Sequence, residues 1–347
     1  MGASFGLPID FGELDSTELI EVSRVADCEL PIEGEDGGME LPQSGHDPVL
    51  IDEVLEFLAA GEGKMIVDCT LGRGGHASLI ARRLGNRGRL IGLDVDPRNL
   101  EFAKQRLLGG ERWAEPTPQE NVQCEARLFH ANFAELGDVL AEVGVSRVDG
   151  ILADLGISTN QLADPCYGLS FGNLGPLDMR IDPRIARSAA DWVNTLPEEE
   201  LANVLYELAQ ERYSRRIARK IAEERRISPI ITTERLAGVV RSAIGHSNEK
   251  IDQATRTFLA LRMAVNQELP NLEALLKHAP GFLKPGGRMA VISFQSMEDR
   301  LVKQAFRMLE QTGVARVLTK KPVTPGEDEI GRNPRSRSAK MRVVEKI

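Results

Sequence analysis

The chain of 347 residues has no apolar run of about 18 residues, the length that a membrane-spanning helix needs. Its first residues lack the basic-then-apolar pattern of a secretory signal peptide. The cysteines, Cys28, Cys69, Cys124 and Cys166, are too far apart for a CxxC metal site or a dense disulfide framework. We therefore expect a protein without a membrane anchor, located in the reducing cytoplasm.

Basic side chains are scarce in the N-terminal part of the chain. Residues 1–47 contain twelve acidic residues and one basic residue, Arg24. The whole chain carries a net charge of −9, so the charge of the remaining residues is slightly positive. Because residues 1–42 are acidic, poor in aromatics and weakly periodic, we expect a flexible N-terminal extension. This extension is predicted to compete with RNA for basic surfaces elsewhere on the protein.

Basic residues are concentrated in two segments of the remaining chain. Residues 211–226 contain seven arginine and lysine residues, and the tail from residue 331 contains six. Local basic patches on a nearly neutral body are typical of enzymes that bind a polyanion such as RNA. A solvated helix face and a charged tail would give the same counts, so charge alone does not decide.

The segment 68–76, DCTLGRGGH, is the most informative part of the chain. It follows an apolar run, 65–67, and precedes a helical pattern, 77–84. A second predicted strand then ends at Asp94, 19 residues after Gly75. Strand, glycine-rich turn, helix, strand and terminal acid form the first half of a nucleotide-binding α/β sheet. A tight turn with a helix cap would explain the glycines alone, whereas the spacing of Asp94 favours a nucleoside ligand.

The acid before the glycine turn distinguishes between nucleoside ligands. The glycine spacing is not GxGxxG, and Asp68 would repel the pyrophosphate of a dinucleotide. A cationic or amino-bearing ligand suits this position better. We therefore predict S-adenosylmethionine (SAM), which has a ribose, an α-amino group and a sulfonium, rather than NAD. We expect no metal site, because no set of histidines, cysteines and carboxylates has ligand spacing.

Polar or aromatic residues also follow the other predicted strands. A third strand is predicted over 122–129, with Asn132 and Phe133 after it, and a fourth over 148–154 that ends at Asp154. Helices are predicted between the strands, which indicates a parallel, doubly wound sheet. Because ligands bind at the carboxyl ends of such strands, these residues are expected to lie along one ligand-binding edge.

The strand–helix alternation stops after this point. From 161 to 250 the pattern is helical, with a cap predicted at Thr233, and the sheet pattern resumes with a helix over 254–276 and a strand over 288–294. We interpret the helical block as an inserted lid or substrate-recognition domain. The predicted division is an extension, 1–42, a sheet domain, 43–160 with 251–347, and an insertion, 161–250.

Seven motifs resemble those of the bacterial 16S ribosomal RNA cytosine-N4 methyltransferases. They are HDPVL at 46–50, DCTLGRGGH at 68–76, DLGIS at 154–158, GPLDMR at 175–180, ATRTF at 254–258, SFQSMEDR at 293–300 and NPRSRS at 333–338. GPLDMR, ATRTF and NPRSRS are not general methyltransferase motifs, so the resemblance is specific. It implies an α/β fold, a Rossmann-like class I SAM-dependent methyltransferase sheet with an inserted all-helical substrate-recognition domain.

The resemblance also implies a set of cofactor-binding residues. Gly74, Gly75 and His76 would line the methionine end of SAM, Asp94 would hold the ribose hydroxyls, Phe133 would pack near the adenine, and Asp154 and Gln161 would lie beside the sulfonium. Phe133 could instead be a core residue, and His76 could instead cap a helix.

The implied reaction is SAM-dependent N4-methylation of a cytidine in 16S ribosomal RNA, in the decoding region of the small subunit. The exocyclic nitrogen of cytosine is a poor nucleophile because its lone pair delocalises into the ring. A hydrogen-bond acceptor on its N–H would expose that lone pair, and Asp154 is the catalytic residue we predict. Asp154 could instead serve only the cofactor. The helical insertion and the tail around 335–342 are expected to hold flanking phosphates.

Two positions depart from the family pattern. Gln295 replaces the histidine of a Ser-Phe-His-Ser loop, and Asp252-Gln253 replaces a His-Pro pair. Any proton-handling or RNA-binding role of those histidines would be absent here. A small-molecule methyltransferase and a non-catalytic ribosome-assembly factor therefore remain alternatives, and a dehydrogenase is a distant third. Four charged residues of the family motifs could be RNA contacts or buried ion pairs: Asp178, Arg180, Arg256 and Arg300.

Overall fold

The computed structural model describes residues 48–108, 124–246 and 251–347. The acidic extension 1–42 and the first two residues of the HDPVL motif lie outside the described residues, as do residues 122 and 123 of the predicted third strand. Among the described residues, no helix is both long and apolar enough to cross a membrane.

A seven-stranded sheet forms the centre of the fold, with strand order β3-β2-β1-β4-β5-β7-β6. The strands are β1 Met65–Asp68, β2 Arg89–Asp94, β3 Glu125–His130, β4 Val148–Asp154, β5 Leu283–Ser293, β6 Ala315–Val317 and β7 Lys340–Lys346. Strands β1 to β5 are parallel, and β7 pairs antiparallel with both β5 and β6. This parallel sheet with a reversal at β1 and an antiparallel β7 confirms the predicted class I methyltransferase fold.

Thirteen α-helices lie in the described residues. They are α1 Ile51–Phe57, α2 Gly75–Leu84, α3 Pro97–Leu108, α4 Leu136–Glu142, α5 Thr159–Ala163, α6 Ala189–Thr195, α7 Glu198–Ala209, α8 Ser214–Ile227, α9 Thr233–Ile244, α10 Thr255–Val265, α11 Glu268–His278, α12 Ser296–Gln311 and α13 Glu327–Arg332.

Both faces of the sheet are covered, as the unbroken apolar strands predict. Successive strand residues alternate between the faces. Ile66 and Leu152 pack with α1, α2 and α3 on one face, whereas Val67 and Ile151 pack with α4, α11 and α12 on the other. The chain therefore holds β1 and β4 rigidly at the middle of the sheet, and their carboxyl ends are fixed positions for functional side chains.

A second hydrophobic core lies outside the sheet. We use the term helical group for α6 to α10, which pack around a shared set of buried residues that includes Leu205, Ile221, Leu236 and Leu261. In α8 the apolar residues fall on one side of the helix and the basic residues on the other, so the packed face and the charged face are both set by the 3.6-residue period. Helix α10 belongs to this core although it lies beyond residue 250, and the division into domains stays a prediction.

Three local predictions are wrong. The helix expected over 254–276 is broken at Gln267, which has a left-handed φ of 49°, and Pro270 in the next turn cannot donate a backbone hydrogen bond. The cap of α9 is Thr232, whose side chain accepts from Arg235 N, because the hydroxyl of Thr233 bonds Asn173 O at 3.0 Å. The strand expected over 288–294 begins earlier and ends at Ser293.

Candidate active site

The carboxylate of Asp68 lies at the end of β1 and is only 1% exposed. Its Oδ1 accepts a hydrogen bond from Thr70 N at 3.1 Å. Among the described residues, its Oδ2 has no hydrogen-bond partner although it is buried. A buried carboxylate oxygen without a partner is costly, so a donor or a cation supplied by a ligand would stabilise it.

The glycine turn brings the backbone close to this edge. Gly72 has φ +53° and donates its N–H to Asp94 Oδ2 at 2.7 Å. Gly74 precedes the first turn of α2 with φ +78°, a conformation that L side chains rarely adopt. Gly75 then begins α2, so its N–H and those of the first turn point towards the carboxyl edge of the sheet.

Asp94 lies at the end of β2 and is 9% exposed. Its Oδ2 accepts from Gly72 N, and its Oδ1 accepts from Asp96 N at 2.8 Å and, over a longer distance of 3.5 Å, from Asn99 Nδ2. Two backbone bonds fix the carboxylate, a lone pair remains on Oδ2, and the second lone pair of Oδ1 is engaged by the long contact from Asn99. Asp94 is therefore rigidly placed and retains acceptor capacity for ligand hydroxyls.

Asp154 lies at the end of β4, next to β1. Its backbone N–H donates to Thr70 Oγ1 at 2.6 Å, which ties it to the glycine turn. Its Oδ2 lies 3.7 Å from His76 Nδ1, while His76 Nε2 bonds Val49 O at 2.8 Å. Its Oδ1 is buried and has no hydrogen-bond partner within the described residues. Burial, followed by the charges of Asp68 and Glu298, raises the pKa of Asp154 well above its usual value.

A cavity of about 1140 Å³ lies between this edge of the sheet and the helical group. Its wall includes six of the seven residues predicted to bind the cofactor, namely Gly75, His76, Asp94, Phe133, Asp154 and Gln161. Gly74 lies on the other side of the turn, where an added Cβ would approach Ala103 to 3.5 Å. The opposite wall is apolar in part and includes Trp192, Leu196 and Val204. The structure thus brings the predicted residues to one site, and their roles stay predictions.

Two of these side chains also serve the local fold. Phe133 begins a short 3₁₀ helix and packs partly against the core beneath the sheet. Gln161 forms a capping box with Ser158 at the start of α5, and its Nε2 donates to Asp96 Oδ2 at 2.7 Å. Both line the cavity while their positions are set by structural contacts.

Sequence reasoning missed Arg73, which lies inside the glycine motif. Its guanidinium lies 4.0 Å from the ring centroid of Phe102. With the amide of Asn160 oriented so that its oxygen faces Arg73, Nε and Nη1 donate to that oxygen at 2.9 and 2.8 Å. Arg73 and Asn160 both line the cavity. The sequence offered one signal for this residue, an arginine within a predicted ligand-binding turn. Its partner Asn160 is 87 residues away in the chain, so the contact could not be predicted from local pattern.

The two departures from the family pattern have structural roles. Gln295 is the N-cap of α12, and its backbone N–H donates to Glu298 Oε2 at 2.9 Å. Asp252 pairs with Arg241 at 2.8 Å and accepts from Ala254 N, and Gln253 Nε2 donates to Gly245 O at 2.6 Å. These residues therefore stabilise the start of α12 and the connection between α9 and α10.

The exposure and the ion pairs of several charged residues show whether their side chains are accessible to RNA. Asp178 and Arg180 form a buried ion pair, with 0% and 7% exposure. Arg342, which we predicted to hold phosphates, is 7% exposed and donates to Asp299 at 2.6 Å. For Arg342 the prediction is wrong, because this residue lies in β7, between β5 and β6; Arg335 and Arg337 of the same tail are exposed, and their role stays a prediction. Arg300 is exposed, as a solvent-facing or RNA-facing residue would be.

Burial also predicts a pH dependence for ligand binding. It raises the pKa of Asp68 and of Asp94 from the ordinary 3.8 to about 7. Both groups bind protons more readily in the folded protein than in the unfolded chain, so their ionisation lowers stability as the pH rises from about 4 to about 7. A cationic ligand binds more tightly when the carboxyl groups of Asp68 and Asp94 are ionised. The rise in melting temperature caused by SAM is therefore expected to be larger at pH 8 than at pH 6.

The control for this prediction is Asp68→Asn, which keeps the size of the side chain but cannot ionise. It is expected to reduce the difference in the SAM-induced shift between the two pH values. Differential scanning fluorimetry at equal SAM concentration measures both proteins. A shift of the same size at pH 6 and pH 8 in the unaltered protein would contradict the account of these carboxylates.

The chain is similar to several known proteins. A model described as the MraW methylase family matches residues 43–347. The ribosomal RNA small subunit methyltransferase H of Acidobacterium capsulatum is 47% identical over 304 residues, covering 87% of this chain and 98% of that protein. The protein of the same name from Geobacter sulfurreducens is 46% identical over 320 residues, covering 87% and 99%. A solved rRNA methylase from Streptococcus thermophilus gives a TM-score of 0.35 at 14% identity, covering 86% and 93%.

Proposed function

The chain belongs to the MraW methylase family, and we propose on this premise that it is a SAM-dependent methyltransferase of 16S ribosomal RNA. The finer proposal is transfer to N4 of a cytidine in the decoding region of the small subunit, at cytosine 1402. The observation that carries it is the pair of buried carboxylate oxygens, Asp68 Oδ2 and Asp154 Oδ1, which have no hydrogen-bond partner within the described residues and lie at adjacent strand ends.

The residues present fit SAM. Asp154 lines the cavity and Asp68 lies behind its wall at the adjacent strand end, so the two carboxylates place negative charge on the side that we propose for the α-amino group and the sulfonium. Asp94, also in the wall, has acceptor capacity for ribose hydroxyls. Gly75, His76 and Phe133 line the same cavity, and we propose that the first two contact the methionine end and that Phe133 packs near the adenine. When bound, SAM supplies an electrophilic methyl group. The protein contributes position, since displacement at a methyl carbon needs the nucleophile in line with the bond that breaks.

Asp154 is the residue we propose to act on the target amine. An acceptor on the N–H of cytosine N4 withdraws that hydrogen from the plane of the ring and exposes the nitrogen lone pair. The methylated nitrogen then has a proton to lose, and the raised pKa of Asp154 makes its carboxylate a stronger proton acceptor than an ordinary aspartate. His76, 3.7 Å from Oδ2, limits the orientations that this carboxylate can adopt.

The cavity has room for more than a cofactor. Small-molecule sites typically enclose roughly 300 to 1,000 Å³, and this cavity reaches about 1140 Å³. The wall formed by Trp192, Leu196 and Val204 is suited to the flat face of a base. A cytidine must leave its stack to reach Asp154, and the helical group lies where the extruded base and its flanking nucleotides would be received.

The basic face of α8 is the part of the helical group that we propose to contact RNA phosphates. Arg215 reaches the cavity rim, because its Nη1 donates to Asn203 Oδ1 at 2.9 Å and Asn203 lines the cavity. Arg216 and Arg226 are exposed, and neither has a salt bridge within the described residues. The basic patch predicted from the sequence therefore continues to the mouth of the site.

Reversal of two of these charges is expected to weaken RNA binding. Arg216→Glu with Arg226→Glu should lower the affinity for small ribosomal subunits by at least about tenfold at moderate salt, because phosphate contacts release counterions. The slope of log affinity against log salt should also become shallower. Filter binding across a salt series measures both quantities.

The matched control is Arg83→Glu at the C-terminal end of α2, at the opposite edge of the sheet. It changes the net charge in the same direction and should leave affinity within about twofold. Equal losses in the two variants would indicate a general charge effect and would remove α8 from the proposed interface.

The substrate class is tested with labelled SAM and three acceptors: small subunits that lack the modification, naked 16S RNA, and a pool of cell metabolites. Label in ribosomal RNA supports the proposal for a cytoplasmic RNA-modifying enzyme. Label only in the metabolite pool would establish a small-molecule methyltransferase. Tight binding to subunits without any transfer would establish an assembly factor.

A further inference from the structure

One buried carboxylate behind the cavity wall has no role in the account above. Asp96 is 1% exposed and caps α3, because its Oδ1 accepts from Arg98 N at 2.9 Å. Its Oδ2 accepts from Gln161 Nε2 at 2.7 Å and from Tyr167 Oη at 2.6 Å. Its N–H donates to Asp94 Oδ1 at 2.8 Å. A helix cap requires only the first of these bonds, so the others need a separate explanation.

The bond to Gln161 connects Asp96 to the loop that follows Asp154. Gln161 Oε1 accepts from Ser158 N at 3.0 Å, and Ser158 Oγ accepts from Gln161 N at 3.2 Å. Only three residues separate Asp154 from Ser158, and among them Gly156 has φ +106°. At its other end the loop is held by Leu155 N, which donates to Ile292 O at 2.9 Å. The amide of Gln161 therefore transmits the position of Asp96 to the loop that carries the proposed catalytic residue.

The bond to Tyr167 connects the same oxygen to the helical group. Tyr167 is 3% exposed, and its ring packs in the core that α6 to α10 share. Arg98 lies over this ring at 5.3 Å and donates to Asp164 Oδ2 at 2.9 Å, which holds the adjacent turn. Asp96 is thus a junction of three parts of the molecule: the ribose-binding acid, the Asp154 loop and the helical group.

We propose that Asp96 is a positioning residue for methyl transfer. Its carboxylate fixes the positions of the Asp154 loop and of Tyr167, which packs in the core of the helical group, relative to the carboxyl end of β2. The inference rests on the proposed function, because it assigns Asp96 to that same site. Its physical basis is that the rate of in-line transfer is sensitive to small misplacements of the reacting groups. Residues behind the site determine where those groups lie.

The test is Asp96→Asn. This change keeps the shape and the acceptor for Arg98 N, but it places an amide N–H₂ opposite Gln161 Nε2, so two donors face each other. We expect kcat on small subunits to fall by about tenfold or more, while the Kd for SAM changes by less than about threefold. Hydrogen exchange of the amides at 155–163, measured without any substrate, should become about tenfold faster.

A second substitution separates positioning from a general loss of packing. In Asp96→Asn with Gln161→Glu, the new carboxylate at 161 accepts from the amide at 96 and also from Ser158 N. We expect this double variant to recover exchange protection at 155–163 to within about threefold of the unaltered protein; its kcat is not used, because residue 161 belongs to the proposed cofactor site. Asp138→Asn, an exposed carboxylate on α4, is the matched control and should change neither quantity.

The outcomes are distinguishable. Unchanged kcat and unchanged exchange in Asp96→Asn would overturn the inference, as would a double variant in which the amides at 155–163 exchange as fast as in the single one. Failure of the unaltered protein to methylate 16S RNA would instead overturn the proposed function. The exchange experiment, which needs no substrate, would then still show whether Asp96 holds the loop.

Discussion

Asp154→Asn is expected to lower kcat for methylation of small ribosomal subunits by about 10²- to 10⁴-fold, the range typical of removing a proton acceptor from a catalytic site. The amide cannot take a proton from N4, although it preserves the shape of the side chain. The backbone bond from residue 154 to Thr70 is kept, so the turn that binds the cofactor stays in place. The Kd for SAM should therefore change by no more than about tenfold.

Stability provides an independent check on this variant. The folded protein raises the pKa of Asp154, so its ionised form is less favourable in the folded protein than in the unfolded chain. Removing the ionisable group should leave the protein at least as stable at pH 8. Single-turnover kinetics, SAM titration calorimetry and thermal unfolding measure the three quantities. Full turnover together with unchanged SAM affinity would exclude Asp154 as the catalytic residue.

Asp178→Ala is expected to lower the free energy of unfolding by about 3 to 5 kcal/mol, because it removes the carboxylate that compensates the charge of a buried arginine. Asp178 accepts from Arg180 Nε and Nη2, both at 2.7 Å, and from Arg180 N at 3.0 Å. These bonds close a turn in which Met179 has the left-handed φ of 64°. Loss of the carboxylate therefore removes both the compensation of a charge and the support of a strained backbone.

The matched control is Glu62→Ala, which breaks the exposed pair between Glu62 and Arg87. Exposed pairs contribute about 0 to 1 kcal/mol, so this variant should unfold at nearly the same urea concentration as the unaltered protein. If Asp178→Ala kept full stability but lost affinity for ribosomal RNA, the pair would be an RNA contact and not a structural one.

The sheet and its functional edge could be predicted from the sequence because their signals are local. An apolar run followed at once by Asp68, Asp94 or Asp154 identifies both a strand and the end at which it presents a side chain. Parallel pairing then brings these ends together whatever the details of the loops. Six of the predicted residues line one cavity for this reason.

Roles that depend on distant partners could not be predicted in this way. Arg342 pairs with Asp299 because the tail returns as β7 between β5 and β6. The tail was interpreted from its basic composition, and the alternation of its apolar residues, which indicates a strand, was not used. The bond between Gln161 and Asp96 spans 65 residues. A capping glutamine has the same local pattern whether or not its amide reaches a buried carboxylate.

The helix break at Gln267 shows a third limit. The apolar period continues through the break, because α10 packs in the helical group and α11 packs under the sheet. Periodicity alone predicts one helix there, and only Pro270 indicates otherwise. The break allows the chain to pass from one core to the other beside the cavity, where Gln267 lies in the wall.

The most direct measurement of the central claim identifies the product nucleoside. Small ribosomal subunits that lack the modification are incubated with this protein and labelled SAM, and the RNA is digested to nucleosides for mass spectrometry. Label is expected in N4-methylcytidine with the unaltered protein and is expected to be almost absent with Asp154→Asn. Label in another nucleoside, or no label despite measurable SAM binding, would contradict the proposed reaction.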